Sequence, residues 1–177
     1  MFDKDMIFIR GKHATYTKEL VAKFNMSIKQ GIFDRNLDVY LIAPIIGKLY
    51  NRKAELDKTI DDDTRIHSKQ IDSERQQLET TYRMIMLLED KENLSVEERS
   101  NRAFRYDDNE EKRKDGDLIF DSYVRGGIEV LYEKILKDSK NEDDYVKNLY
   151  DFIVDFTERY KNKMDLQEIK DKCNLKK

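Results

Sequence analysis

One proline and six glycines are all the strong backbone punctuation in a chain of 177 residues. An all-β domain turns roughly every 8–12 residues and marks its turns with such residues. Long helices need few breaks. The apolar share of 38% and charged share of 40% suit either disorder or long, solvated helices. Ten Tyr and eight Phe, set at helical spacing, decide for helices. The expectation is a mainly all-α single domain, 1–177, of about six or seven helices.

Met6-Ile7-Phe8-Ile9 is the best strand candidate, stopped by Gly11. A lone strand leaves its ladder groups unpaired, so the segment reads as a short strand or, preferably, as an extended arm on the helices. From Thr15, the positions Tyr16, Leu20, Val21, Phe24 and Ile28 predict a helix ended by Gly31. Asp34 is placed to cap the next helix, which runs to about Tyr50. It is apolar on nearly all sides and so should be central. Pro44 should bend or split it, and a buried strand before Pro44 is the alternative. Residues 51–69 and 107–117 read as exposed polar loops. Ser73 with Gln76, and Ser95 with Glu98, have the spacing of helix starts. A further helix is expected from Leu118 to Leu136, interrupted at Gly126-Gly127. Asn141 caps the last long helix, with an apolar stripe through Tyr145, Val146, Leu149, Phe152, Ile153, Phe156 and Tyr160. Asp165 can start a short final helix.

Charge is uneven. Residues 1–53 have a net charge of +5 and the remainder −8, for −3 overall. Arg10, Lys12, Lys18, Lys23, Lys48, Arg52 and Lys53, with His13 beside them, form a candidate phosphate-binding face for DNA. Ordinary solvated lysine explains the same residues slightly better. Arg99, Arg102 and Arg105 form a second stripe, with salt bridges to nearby acids as the leading reading. Cys173 is the sole cysteine, which suits a reducing compartment. The acids before the first apolar run do not make a signal peptide, and no stretch nears the roughly 20 apolar residues of a membrane helix. A cytoplasmic location is expected.

Chemistry finds little to work with. Two histidines and one cysteine cannot build a zinc site from this chain alone. The acidic run from Asp107 to Glu111 lacks the calcium-loop pattern. There is no Gly-rich phosphate loop and no nucleophile elbow. Glu129 and Glu133, four apart, have the spacing to hold Mg²⁺, but an ion pair of Glu133 with Lys137 is the plainer reading. No catalytic residue, metal ligand or cofactor is expected. Gly126-Gly127 stands out instead. Each glycine costs on the order of 1 kcal/mol inside a helix, so another backbone should approach there. With Arg125 they form a candidate interface, and tight packing within the domain is the first reading.

Two segments carry a resemblance. Residues 38–53 hold the apolar helix with Ala43-Pro44-Ile45-Ile46-Gly47 and then the basic turn Lys48, Arg52, Lys53. Residues 123–131 hold Tyr123-Val124-Arg125-Gly126-Gly127-Ile128-Glu129-Val130-Leu131. Both resemble small proteins encoded beside bacterial DNA phosphorothioation (dnd) defence genes. The resemblance implies an accessory subunit of an anti-phage system, partnering an SMC-like ATPase or nuclease, with no catalytic residues to carry over. The leading expectation is therefore a non-catalytic helical subunit that binds a larger protein and can also touch DNA or self-associate. The alternatives are a small acidic inhibitor or antitoxin and, at lowest weight, a Mg²⁺-dependent nuclease.

Overall fold

The computed structural model describes residues 2, 5–25 and 30–161. It is mainly α-helical, with seven α-helices and two two-stranded sheets among those residues. No helix among them is long and apolar enough to cross a membrane. The chain divides into two compact units, one through Glu133 and the other from Lys134.

The first unit opens on β1, Met6–Arg10. It is a paired strand, not an arm: it runs antiparallel to β4, Asp63–His67. Part of the expected 51–69 loop is thus a strand. Its alternation explains why, since Thr64 and Ile66 are buried while Asp63, Arg65 and His67 face water.

Between these strands, helix α1 spans Lys12–Val21 and stops well short of Gly31. The Leu20 carbonyl accepts from Phe33 N (3.2 Å) instead of from a further helical turn. The chain then forms a small antiparallel ribbon, β2 (Lys23–Asn25) with β3 (Gln30–Gly31). Ile28 lies outside the described residues, as do Asp165 and Cys173.

Helix α2, Asn36–Leu49, is the central helix and runs on through Pro44 without splitting. One missing N–H costs one bond, and α2 buries Leu37, Val39, Tyr40, Ala43 and Ile46 around it. The start is held by Asp38, whose carboxylate accepts from Arg35 N (2.9 Å), not by Asp34. Helix α3, Ser68–Ser73, precedes α4, Arg75–Leu88. Ser73 therefore ends one helix rather than capping the next, its hydroxyl donating to Gln70 O. Ser95 does cap α5, Val96–Phe104, accepting from Glu98 N (3.1 Å).

Helix α6, Glu110–Leu131, starts eight residues before the expected Leu118 and absorbs most of the supposed loop. Asn109 caps it, Glu110 and Glu111 complement the positive end of its dipole, and Arg113 pairs with Asp117 at 3.3 Å. It passes through Gly126-Gly127 uninterrupted and widens into a π-helical turn, Tyr132–Leu136. The core of this unit includes an aromatic cluster of Phe2, Tyr40, Tyr82 and Phe120, with ring centroids 5.5–6.4 Å apart.

In the second unit, Asn141 accepts from Asp144 N (3.0 Å) at the start of α7, Glu142–Lys161. Asn148 ties the helix back to Ser139 Oγ (2.9 Å) and Ile135 O (3.3 Å). The apolar stripe is present, but it is not core. No α7 residue described is buried, and Val146, Tyr150 and Ile153 are 56%, 66% and 53% exposed.

Candidate functional site

Three glycines bring the two most informative helices together. A Cβ on Gly127 of α6 would lie only 2.9 Å from Ala43 Cα and closer still to the Ala43 carbonyl. One on Gly47 of α2 would meet the Tyr123 and Gly127 backbone, and one on Gly126 would meet the Arg52 backbone. Only hydrogen fits at these points, so α2 and the turn after it lie directly on α6. Arg125 works alongside them, its Nε donating to Ala54 O (2.8 Å). Arg125, Gly126 and Gly127 thus all meet the chain's own backbone.

That close approach drops the basic turn onto two buried carboxylates. Glu129, 6% exposed, takes Lys12 Nζ (2.8 Å) and His13 Nε2 (3.1 Å) on Oε1. Its Oε2 takes Arg52 Nη2 (2.9 Å) and Nε (3.2 Å). Arg52 also reaches Glu133 (2.9 Å). Glu133 therefore pairs with Arg52 rather than with Lys137, because the wider π-turn between them breaks the register of an i,i+4 pair. On the other side, Glu89 at the end of α4 accepts from Lys48 Nζ (2.7 Å), Tyr123 Oη (2.7 Å) and Lys53 Nζ. The Lys48 and Lys53 ammoniums also lie 4.9 and 5.1 Å from the Tyr123 ring centre.

Electrostatics follow from these contacts. Burial pushes the Glu89 carboxyl up, but hydrogen bonds from Lys48, Lys53 and Tyr123 more than offset this and bring it down to about 2. Glu129 is likewise raised by burial and brought below its ordinary range by Lys12, Arg52 and His13. Burial lowers the His13 pKa despite the opposing pull of Glu129, so its ring is neutral at pH 7. Since the Glu129 carboxylate only accepts, His13 Nε2 carries the proton. Nδ1 is then buried without a hydrogen-bond partner.

The remaining candidate cations are scattered over other contacts. Lys18 pairs with Asp62, and Lys23 with Asp34 at 3.4 Å. Arg10 lies over the Phe8 ring at 5.4 Å. Of the seven candidate phosphate-binding residues, the fold gathers Lys12, Lys48, Arg52 and Lys53 around the two buried acids and leaves the other three apart. In the second stripe, Arg102 pairs with Glu98 (3.0 Å), Arg99 donates to Leu87 O and Arg105 to Asn101. No three His, Cys, Asp or Glu side chains among the described residues cluster so as to hold a metal ion.

Glu129 and Glu89 as hubs were not read from sequence. The signal for Glu129 was an acid inside the apolar run Ile128-Glu129-Val130-Leu131, because a buried charge demands a partner. Glu89, at a helix end among charged residues, carried no such signal.

The family described as DNA sulphur modification system-associated protein 4 matches this chain over residues 10–171. No curated protein and no solved structure matches it. The match covers both segments, 38–53 and 123–131, on which the resemblance rested, and bears that resemblance out.

Proposed function

The chain belongs to the family of DNA sulphur modification system-associated protein 4, and from that premise we propose that it is a cytoplasmic, non-catalytic subunit that docks onto a larger protein of an anti-phage system. The resemblance read in the sequence points to an SMC-like ATPase or nuclease as that larger protein. The observation that carries the docking role is α7, a 20-residue amphipathic helix with Val146, Tyr150 and Ile153 more than half exposed on successive turns. An apolar helical stripe in water is the form that helix-in-groove recognition takes.

The cations favour the same reading. Six of the seven candidate phosphate contacts have a carboxylate partner in the fold. A phosphate would have to displace that partner, which supports a protein rather than a polyanion as the principal ligand.

The test is co-purification from the native host with a tagged chain, comparing wild type with a Val146→Asp, Ile153→Asp double variant. The expected result is that a protein of the same system is recovered with wild type and lost with the variant, at unchanged melting temperature. Recovery of the same protein by both would sink the proposal.

A further inference from the structure

The β1 strand has a second edge. Asp5 O accepts from Ser68 N (2.9 Å), and Gly11 N donates to Asp62 O (2.8 Å). In an antiparallel pair, the residues that exchange bonds with the partner alternate. Residues 5, 7, 9 and 11 therefore face β4, and the N–H and C=O groups of Met6, Phe8 and Arg10 point the other way. Among the described residues nothing takes them up.

A groove of about 300 Å³ runs along this edge. All five β1 residues line it, from both faces of the strand, as a site at an edge rather than on a face requires. Opposite are Tyr40, Leu56, Asp121, Val124 and Arg125. About half of this surface is polar, and its polar groups include two donors and the Asp121 carboxylate. The Arg125 guanidinium is anchored through Nε alone, leaving its Nη groups without a hydrogen-bond partner among the described residues. The Tyr40 hydroxyl has none either. An unpaired strand edge normally carries a protective charge, bulge or cover. Here Arg10 is the one charge on it, and the edge adjoins a groove.

We propose that this groove binds an extended segment of a partner protein, which adds to β1 as a third strand and places an Asp or Glu side chain on Arg125 and Tyr40. Backbone groups at alternate residues of β1 supply the ladder. The groove walls accept apolar side chains from the added strand, and the two donors complement a carboxylate. The inference rests on the reading that this chain binds protein, but its residues belong to the first unit and those of the α7 stripe to the second.

The probe is a random 12-residue peptide library selected on the full chain, with the enriched peptides labelled and measured by fluorescence anisotropy. Convergence on alternating apolar residues with one acid at a fixed place is expected. Phe8→Pro removes an outward N–H without touching the β4 ladder, so it should abolish binding and leave the melting temperature unchanged. Arg125→Gln should weaken acidic peptides at least tenfold and their amide counterparts far less. Val146→Asp, Ile153→Asp should leave peptide binding intact, so a failure of the α7 reading is told apart from a failure here. No enrichment over a blank selection, or equal binding to wild type, Phe8→Pro and Arg125→Gln, would overturn the proposal.

Discussion

Gly127 of α6 lies against the backbone of Ala43 in α2 so closely that even a methyl group has no place between them. Glycine is unfavourable inside a helix, and here that cost is offset by the approach that seats α2 and its basic turn on α6. Gly127→Ala should therefore destabilise the fold by at least the ~1–3 kcal/mol typical of overpacking. Urea unfolding should show a lower midpoint at an unchanged slope. An alanine variant as stable as wild type would mean that the helices can separate freely.

Glu129 answers to three partners. Glu129→Gln keeps the shape and removes the charge, leaving Lys12 and Arg52 without their shared acid. Breaking a buried pair costs about 3–5 kcal/mol. Lys12 and Arg52 are each about two-fifths exposed (40% and 42%), so water softens the loss. A cost on the order of 2 kcal/mol is expected by chemical denaturation. A neutral result would demote the cluster to a surface feature.

Acid should act in two steps. The folded pKa of His13 is lowered, so the unfolded chain takes up its proton first. Stability is then lost as pH falls below the unfolded value of about 6.5. Glu89 is lowered to about 2, so its contribution is intact at neutral pH and fades as pH falls from about 4.5 towards 2. His13→Gln should remove the upper step and Glu89→Gln should shrink the lower one, which Glu129 shares, measured as unfolding free energy against pH. Stability that stays flat from pH 7 to 3 in wild type would contradict both.

The periodic helices were legible because their signal is local. In α7 the stripe and the Asn141 cap lie within one segment, as does the Ser95 cap of α5. The β1–β4 pair was half legible: Met6–Arg10 announced itself, but β4 hides two buried positions among charged ones, and its partner is far away in sequence. The α1 helix looked longer than it is because Phe24 kept the rhythm, whereas Phe33 N takes the Leu20 carbonyl. The start of α6 was hidden by a charge run that holds itself together through Arg113 and Asp117. The glycines were found, and an approaching backbone was the first reading of them. What sits on them was not, because Arg52 and Glu129 are 77 residues apart.

Charge reversal at Lys12 and Arg52 separates structural from phosphate-binding roles. Lys12→Glu, Arg52→Glu places two acids against Glu129 and should lower the melting temperature markedly. Duplex-DNA affinity of the wild-type chain should change little between about 50 and 200 mM salt, where multiple phosphate contacts would weaken it by orders of magnitude. A steep salt slope in wild type, lost in a variant that still folds, would restore the DNA reading of these residues.

Docking of α7 onto a protein through its apolar stripe can be followed by calorimetric titration of the co-purified partner into the full chain. A complex with a negative heat-capacity change is expected, as apolar burial requires. Val146→Asp, Ile153→Asp should weaken it at least a hundredfold, while modest changes in salt leave it nearly untouched. A double variant that binds as tightly as wild type, with the same heat-capacity change, would mean that the α7 stripe is not the docking surface.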